Sequence, residues 1–286
     1  CDRCLAIFEQ ESGTKQTRAS LKAGLFEGPA EPRLALRKAW LAHNRGTIER
    51  LLALIERTVH EQRPGLPLGF MSGERFYEGY DFDGWARALA GPAGAPVYWR
   101  PGGGFYEDSA TGGLAGKSHE VGRQVSLLPR EVFSIQSEIE NFPYHRLKKA
   151  AHITVLEAAS HMAAGCTGAA FNVLSGNDEP LDEFEPLVAR IRQMRPFLDI
   201  LARHLGRRPL AGIHPAWNVD TAAACDLDGG NWTAFGRFLG ESTRLFEIPI
   251  LITHSGFLKR HSSAEVENLQ VQLYFGPTEI NQVVSQ

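Results

Sequence analysis

Four short apolar runs, Leu66 to Met71, Pro96 to Arg100, Val132 to Glu140 and Gly168 to Leu174, start 30, 36 and 36 residues apart. Each is followed by a loop and a stretch with helical spacing: Phe82 to Leu89, Lys117 to Leu127, Tyr144 to Met162 and Leu181 to Leu205. That interval is the length of a strand plus a crossover helix, so the pattern predicts repeated βα units and a parallel sheet. A longer helix over residues 33 to 62 precedes them, with Leu36, Trp40, Leu41, Ile48, Leu51, Leu52 and Ile55 at helical spacing before Pro64-Gly65. Four units reach residue 205, half the number a closed α/β barrel uses. Beyond them Leu210 to His214 and Ile248 to Thr253, with helix-like Trp232 to Leu245 between, read as a further βα unit. The expected architecture is therefore half of a TIM-type barrel over residues 1–205 and the start of a second α/β domain over 206–286. The stretch from Ser262 to Gln286 is polar and weakly patterned, and no fold is expected of it.

A chain of 286 residues with 43% hydrophobic content buries a substantial core. Its formal charge of -3 gives no electrostatic reason to bind nucleic acid or an anionic membrane. No apolar run approaches the roughly 18 to 20 residues of a membrane span, so the chain is expected to be soluble and cytoplasmic. Cys166 and Cys225 stand alone, and with Cys1 and Cys4 they make no disulfide framework. Cys1 and Cys4 form a C-x-x-C, half of the four-ligand set zinc prefers, and no second C-x-x-C or H-x-x-x-H follows. A lipidated N-terminal cysteine is the other reading. Leu5, Ile7 and Phe8, which begin a packed-looking segment without a polar tether, speak against it.

The third run carries the chemistry. Period-2 alternation places Ser134, Gln136, Glu138 and Glu140 on one strand face and Phe133, Ile135 and Ile139 on the other, and Pro143 stops the ladder just after the acids. Acids at the carboxyl end of a buried strand sit where α/β barrels keep catalytic groups; the alternative is a structural ion pair with Arg or Lys. Residues two apart on a strand have backbones about 6.5 to 7 Å apart, so the two acids are either a catalytic pair or a nucleophile, Glu140, supported by Glu138. Other candidates lie at strand ends: Glu74 after the first run, Trp99 and Arg100 in the second, Tyr106 beyond Pro101-Gly102-Gly103-Gly104-Phe105, and Asn172 in the fourth. The aromatic groups there either stack on a sugar ring or fill the core. The glycines form no phosphate loop, and Thr253-His254-Ser255-Gly256 lacks the G-x-S-x-G elbow of a serine hydrolase.

Three segments, in order, resemble glycoside hydrolase family 42 (GH42) β-galactosidases and their clan A relatives. Glu140-Asn141-Phe142-Pro143 resembles the family's E-x-x-P nucleophile segment, and the stretch from Ala163 to Asn172 is similar to its A-x-G-A-D-G-V-x-Y-F strand. Cys1-Asp2-Arg3-Cys4 with Phe8 resembles the cysteine element that follows the family's acid/base glutamate and supplies zinc ligands. The resemblance implies retaining hydrolysis of O-glycosides with Glu140 as nucleophile, no required cofactor, and Cys1 and Cys4 as remnant ligands of a structural zinc. It places the first four strands and the acid/base glutamate upstream, makes the region after the barrel a partial flavodoxin-like trimerisation domain, and predicts a carbohydrate substrate and a homo-oligomer. In such trimers the loops at His214 and Trp217 reach a neighbouring subunit's cleft; domain packing is the alternative. Asn172-Val173-Leu174-Ser175 replaces the Trp-Arg stretch after the family's eighth strand, which counts against galactose specificity. A non-catalytic carbohydrate-binding or assembly protein derived from a truncated glycosidase is the competing reading, and a serine-type hydrolase a weaker one.

Overall fold

All four runs are strands in the computed structural model: β1 (Leu68–Ser72), β2 (Val97–Pro101), β3 (Val132–Glu140) and β4 (Gly168–Asn172). The structure describes residues 1–73, 79, 81–102, 104–129, 131–174, 179–208, 214–217, 223, 253–254 and 272–274. The strands are parallel and pair in chain order, β1-β2-β3-β4. Helices α4 (Phe82–Ala90), α5 (Leu114–Leu127), α6 (Ala151–Ala163) and α7 (Glu185–Leu205) follow them. When each strand is laid beside the last, right-handed crossovers bring every helix to the same side of the sheet. On that side Phe70, Trp99, Ile135 and Ile139 pack with Trp85, Leu89, Val121, Ala158 and Met162 in one core. The opposite face carries Gly69 and Met71, Tyr98 and Arg100, Gln136, Glu138 and Glu140, and Ala170 and Asn172, with Met71 and Tyr98 exposed.

Three helices precede the sheet: α1 (Asp2–Ser12), α2 (Arg18–Phe26) and α3 (Ala30–Gln62). Phe8, Leu21 and Leu25 form a small second core against Leu36 and Trp40. The apolar stripe expected along α3 divides: Leu41 and Leu52 are buried, whereas Leu51 and Ile55 are exposed. Arg37 takes part of the buried side instead, its Nε donating to the Leu25 carbonyl at 2.7 Å, so the guanidinium enters the interior already hydrogen-bonded.

Two local features depart from simple periodicity. The helix expected from Tyr144 begins only at Ala151, because residues 141–150 form a turn in which the Tyr144 N–H donates to the Asn141 carbonyl. The Ala150 N–H, at the start of α6, is taken by the Asp108 carboxylate at 3.0 Å, a cap supplied from another loop. The second departure is in β3, where Val132 pairs with Val97 and Ser134 with Tyr98, leaving Phe133 as an extra bulged residue. The bulge corrects the expected facing. Val132 points inward, while Phe133 is 66% exposed and sets its ring edge-on to Tyr98 at 5.6 Å; alternation then resumes with Ile135, Ser137 and Ile139 buried.

The chain continues into a second parallel sheet, β5 (His214–Trp217), β6 (Thr253–His254) and β7 (Gln272–Tyr274), paired in the order β6-β5-β7. The expected strands meet β5 and β6 at His214 and Thr253; the rest of both, and the expected helix 232–245, lie outside the described residues. β7 falls in the tail for which no fold is expected, its three residues being too short for a readable period. Among the described residues no helix is long and apolar enough to cross a membrane.

The bulge sets a test. Phe133→Ser should change stability by no more than about 0.5 kcal/mol, as an exposed substitution does. Ile135→Ala, two residues on and fully buried, should cost about 2 to 5 kcal/mol in urea unfolding.

Candidate active site

The carboxyl ends of β2, β3 and β4 converge on the helix-free face of the sheet. Register places Glu138 beside Ala170 and Glu140 beside Asn172. Glu138 is largely buried. Its Oε1 lies 3.7 Å from Arg100 Nη2, and its Oε2 lies 3.3 Å from where a Cβ on Gly102 would stand, a close approach that the glycine eases. Burial raises the Glu138 pKa above the ordinary carboxylate range, with Arg100 opposing and the like charge of Glu140 adding to the rise. Glu140 has different neighbours: Tyr144 Oη donates to its Oε1 at 2.7 Å, and Asn172 Nδ2 donates to the same phenol oxygen at 2.9 Å. Two carboxylates of like charge thus share a face while one leans on a guanidinium and the other on a phenol.

Tyr144 makes its contact from an uncommon backbone, φ 67. That left-handed conformation costs a residue other than glycine about 1 kcal/mol or more, and it follows directly after Pro143. The ring stands edge-on to Phe142 at 6.0 Å, and Phe142 stands edge-on to Tyr106 at 5.9 Å, giving three aromatic side chains in a row at the mouth. Donation to Glu140 raises the phenol pKa, since its loss of a proton would put two negative charges in contact; burial adds to the rise.

Beneath this end of β3 lies a buried ion pair. Lys149 Nζ meets Glu157 Oε2, donates to the Phe105 carbonyl at 2.7 Å and to the Glu140 carbonyl at 3.3 Å, and sits 5.1 Å from the Phe105 ring centre. Burial pushes Glu157 up to about 7, against the pull of Lys149. One helical turn on, His161 Nδ1 shares a 2.5 Å hydrogen bond with Ser137 Oγ, and burial pushes the imidazole down to about 3, so it is neutral. A further polar set, Trp99 Nε1 to Ser72 Oγ at 2.9 Å and Ser72 Oγ to Gln124 Oε1 at 2.6 Å, fixes the ends of β1 and β2. A groove of about 350 Å³ on the helix-free face runs past Gly69, Met71, Tyr98, Arg100 and Gln136.

No family profile and no curated protein matches the chain. Solved structures do. The chain superposes on a β-galactosidase from Rahnella sp. R3 with a TM-score of 0.57 at 15% identity, over 89% of this chain and 43% of that one. Against Gan42B, a GH42 β-galactosidase, the score is 0.56 at 14% identity, over 90% of this chain and 44% of that one. A catalytic mutant of Gan42B from G. stearothermophilus gives 0.53 at 14% identity, over 89% and 43%. The fold is GH42-like. The chain spans less than half the length of these structures.

Of the residues singled out in the sequence, Glu138, Glu140, Arg100 and Asn172 come together, and Tyr106 stands at the same mouth through Phe142. Trp99 does not. As an odd-numbered residue of β2 it faces the helices, 1% exposed, so it holds the core and cannot stack on a ligand at the open face. Glu74 lies outside the described residues, as do the side chains of His214 and Trp217, which open and close β5. Cys1 and Cys4 are exposed at the start of α1 with their sulfur atoms 2.9 Å apart. Two thiolates on a tetrahedral zinc stand about 3.8 Å apart. Among the described residues no group of three His, Cys, Asp or Glu could hold a metal, so this pair does not by itself fit a zinc ion. Tyr144 and Lys149 are the site residues the pattern missed: both sit in a segment read as helix, and a phenol after Phe-Pro was their only sequence signal.

The buried pair yields two expectations. Lys149→Met leaves Glu157 without its partner and two carbonyls without a donor, and should destabilise by about 3 to 5 kcal/mol. For Glu157 the folded pKa of about 7 exceeds the ordinary 4.5, so the folded state binds its proton more tightly than the unfolded chain does. Its contribution is complete below pH 4.5 and is lost as the pH rises through about 7. Urea unfolding across that window should show stability falling with pH in the native chain and a flatter profile in Glu157→Gln.

Proposed function

We propose that this chain is the carboxyl-terminal half of the barrel, with the start of a flavodoxin-like domain, of a retaining O-glycoside hydrolase of the β-galactosidase type. Glu140 is its nucleophile. One observation carries the reading: in a GH42-like fold, two carboxylates stand together at the carboxyl end of one parallel strand, on the face that the helices leave free. That is the position from which an α/β barrel presents its reacting groups. Glu140 attacks the anomeric carbon as the bond to the leaving oxygen breaks, and an acid/base carboxyl protonates that oxygen. Water, deprotonated by the same carboxyl, then displaces Glu140 from the anomeric carbon and restores the starting configuration.

The acid/base carboxyl is proposed to come from a strand upstream of Cys1, together with the strands that complete the barrel. Glu138, drawn toward Arg100 and partly withdrawn from water, supports the nucleophile rather than sharing its role. The order β6-β5-β7, second-first-third, is that of flavodoxin-like sheets and supports the same origin for the second domain. A homo-oligomer assembled through that domain belongs to the same proposal. The Arg100–Glu138 contact favours a second reading, carbohydrate binding without turnover, in which the charged strand end is structural.

In the full-length protein, Glu140→Gln should reduce turnover of an aryl β-galactoside by about 10⁴-fold or more while leaving the thermal midpoint unchanged. Glu138→Gln should do less. Azide should restore turnover to Glu140→Gly with an inverted product, and rescue of Glu138→Gly in its place would reverse the two roles. Full activity in both Gln variants would sink the assignment. Sugar binding by a native protein with no turnover would establish the binding reading.

A further inference from the structure

We propose that Tyr144 is a positioning residue for Glu140: its phenol ties Oε1 and leaves Oε2 as the oxygen that meets the ligand. The inference rests on the reading of Glu140 as nucleophile for its catalytic consequence, though not for the contact itself. An ionised carboxylate only accepts hydrogen bonds, so at 2.7 Å the phenol must donate to Oε1. With that proton committed, the phenol oxygen accepts from Asn172 Nδ2 at 2.9 Å, and the direction of the whole relay is set: Asn172 to Tyr144 to Glu140. Register already places Asn172 beside Glu140 across β3 and β4, so the relay closes a small ring that restrains the carboxylate from two strands. Among the described residues Oε2 accepts no hydrogen bond.

The backbone points the same way. A turn that needs φ 67 is most easily made by glycine or asparagine, and this chain places a tyrosine there. Phe142 contacts the ring edge-on at 6.0 Å and limits its swing. A side chain kept at a strained position, with its hydroxyl fully used, is serving that hydroxyl. The other charged groups about Glu140 are Glu138 on its own strand, with Arg100 behind it on β2, and Lys149, whose ammonium reaches the Glu140 carbonyl from the turn before α6. None of them donates to Oε1.

The contact can be read without turnover. In the chain labelled with ¹³C at the tyrosine Cζ, the Tyr144 resonance is assigned by its loss in Tyr144→Phe. In the native chain it should move with pH in the acid range, and in Glu140→Gln the larger part of that movement should be lost, the charge of Glu138 leaving only a small remainder. Tyr144→Gly suits the backbone and should fold at least as well, so a purely structural role predicts full function from it. In the catalytically competent full-length protein, Tyr144→Phe and Tyr144→Gly should both lower kcat by about 10- to 100-fold, the loss of one charge-assisted hydrogen bond, with KM little changed. A Tyr144 resonance that ignores pH in the acid range, or keeps its full pH dependence in Glu140→Gln, overturns the proposal, as does full activity in Tyr144→Gly. If the native protein has no glycosidase activity while the resonance still follows Glu140, the catalytic reading falls and the positioning contact stands.

Discussion

The ammonium group of Lys149 is the point on which the carboxyl end of the sheet depends. It has three protons, and three acceptors take them: the Phe105 carbonyl in the loop after β2, the Glu140 carbonyl at the end of β3, and the Glu157 carboxylate on α6. Bringing a lysine and a glutamate out of water is costly, and such a pair is seldom a net source of stability. Its value is directional. A hydrophobic replacement would fill the same volume without telling two loops and a helix where to meet. Among the described residues Oε1 of Glu157 and Nε2 of His161, both buried, have no hydrogen-bond partner.

From that anchor the local structure follows. Because Lys149 reaches inward to the strand end, the chain cannot already be helical at Tyr144, and the residues between must turn. The turn carries Phe142 and Tyr144 outward over Glu140, and α6 starts only once Asp108 has capped Ala150. The same segment therefore does two jobs with opposite burial. Lys149 is shielded beneath the sheet edge, and Tyr144 is half-exposed at its mouth. The hydrogen bond that Tyr144 makes to Glu140 is one consequence of where Lys149 is held.

The four strands and their order were legible in the sequence because apolar runs at a βα interval have few other solutions, and each strand lies within two residues of its run. What failed did so for local reasons. Phe133 looks inward by period, but one bulged residue moves it to the other face. Trp99 looks like a stacking platform by residue type, and its register turns it into the core. Tyr144 to Ala150 looks helical because its polar residues are neutral to helix spacing, and only the backbone shows the turn. β7 is too short to have a period at all. At the site the carboxylates were readable from alternation, which depends on two neighbours, whereas Tyr144 and Lys149 were not, since their roles depend on partners 4 and 8 residues away across a turn.

The helix-free face states the remaining constraint. Parallel sheets are normally covered on both sides, and their strands then read as unbroken apolar runs. Here one side is an apolar core and the other carries Arg100, Gln136, Glu138, Glu140 and Asn172 among Gly69, Ala170 and the exposed Met71 and Tyr98. That composition is too charged for a helix to cover. Within it Glu138 is only 13% exposed, whereas its partner Arg100 is 43% exposed. The charges gathered at the carboxyl end of that face are each held by a partner: Glu138 by Arg100, Glu140 by Tyr144, and the strand that carries both by Lys149.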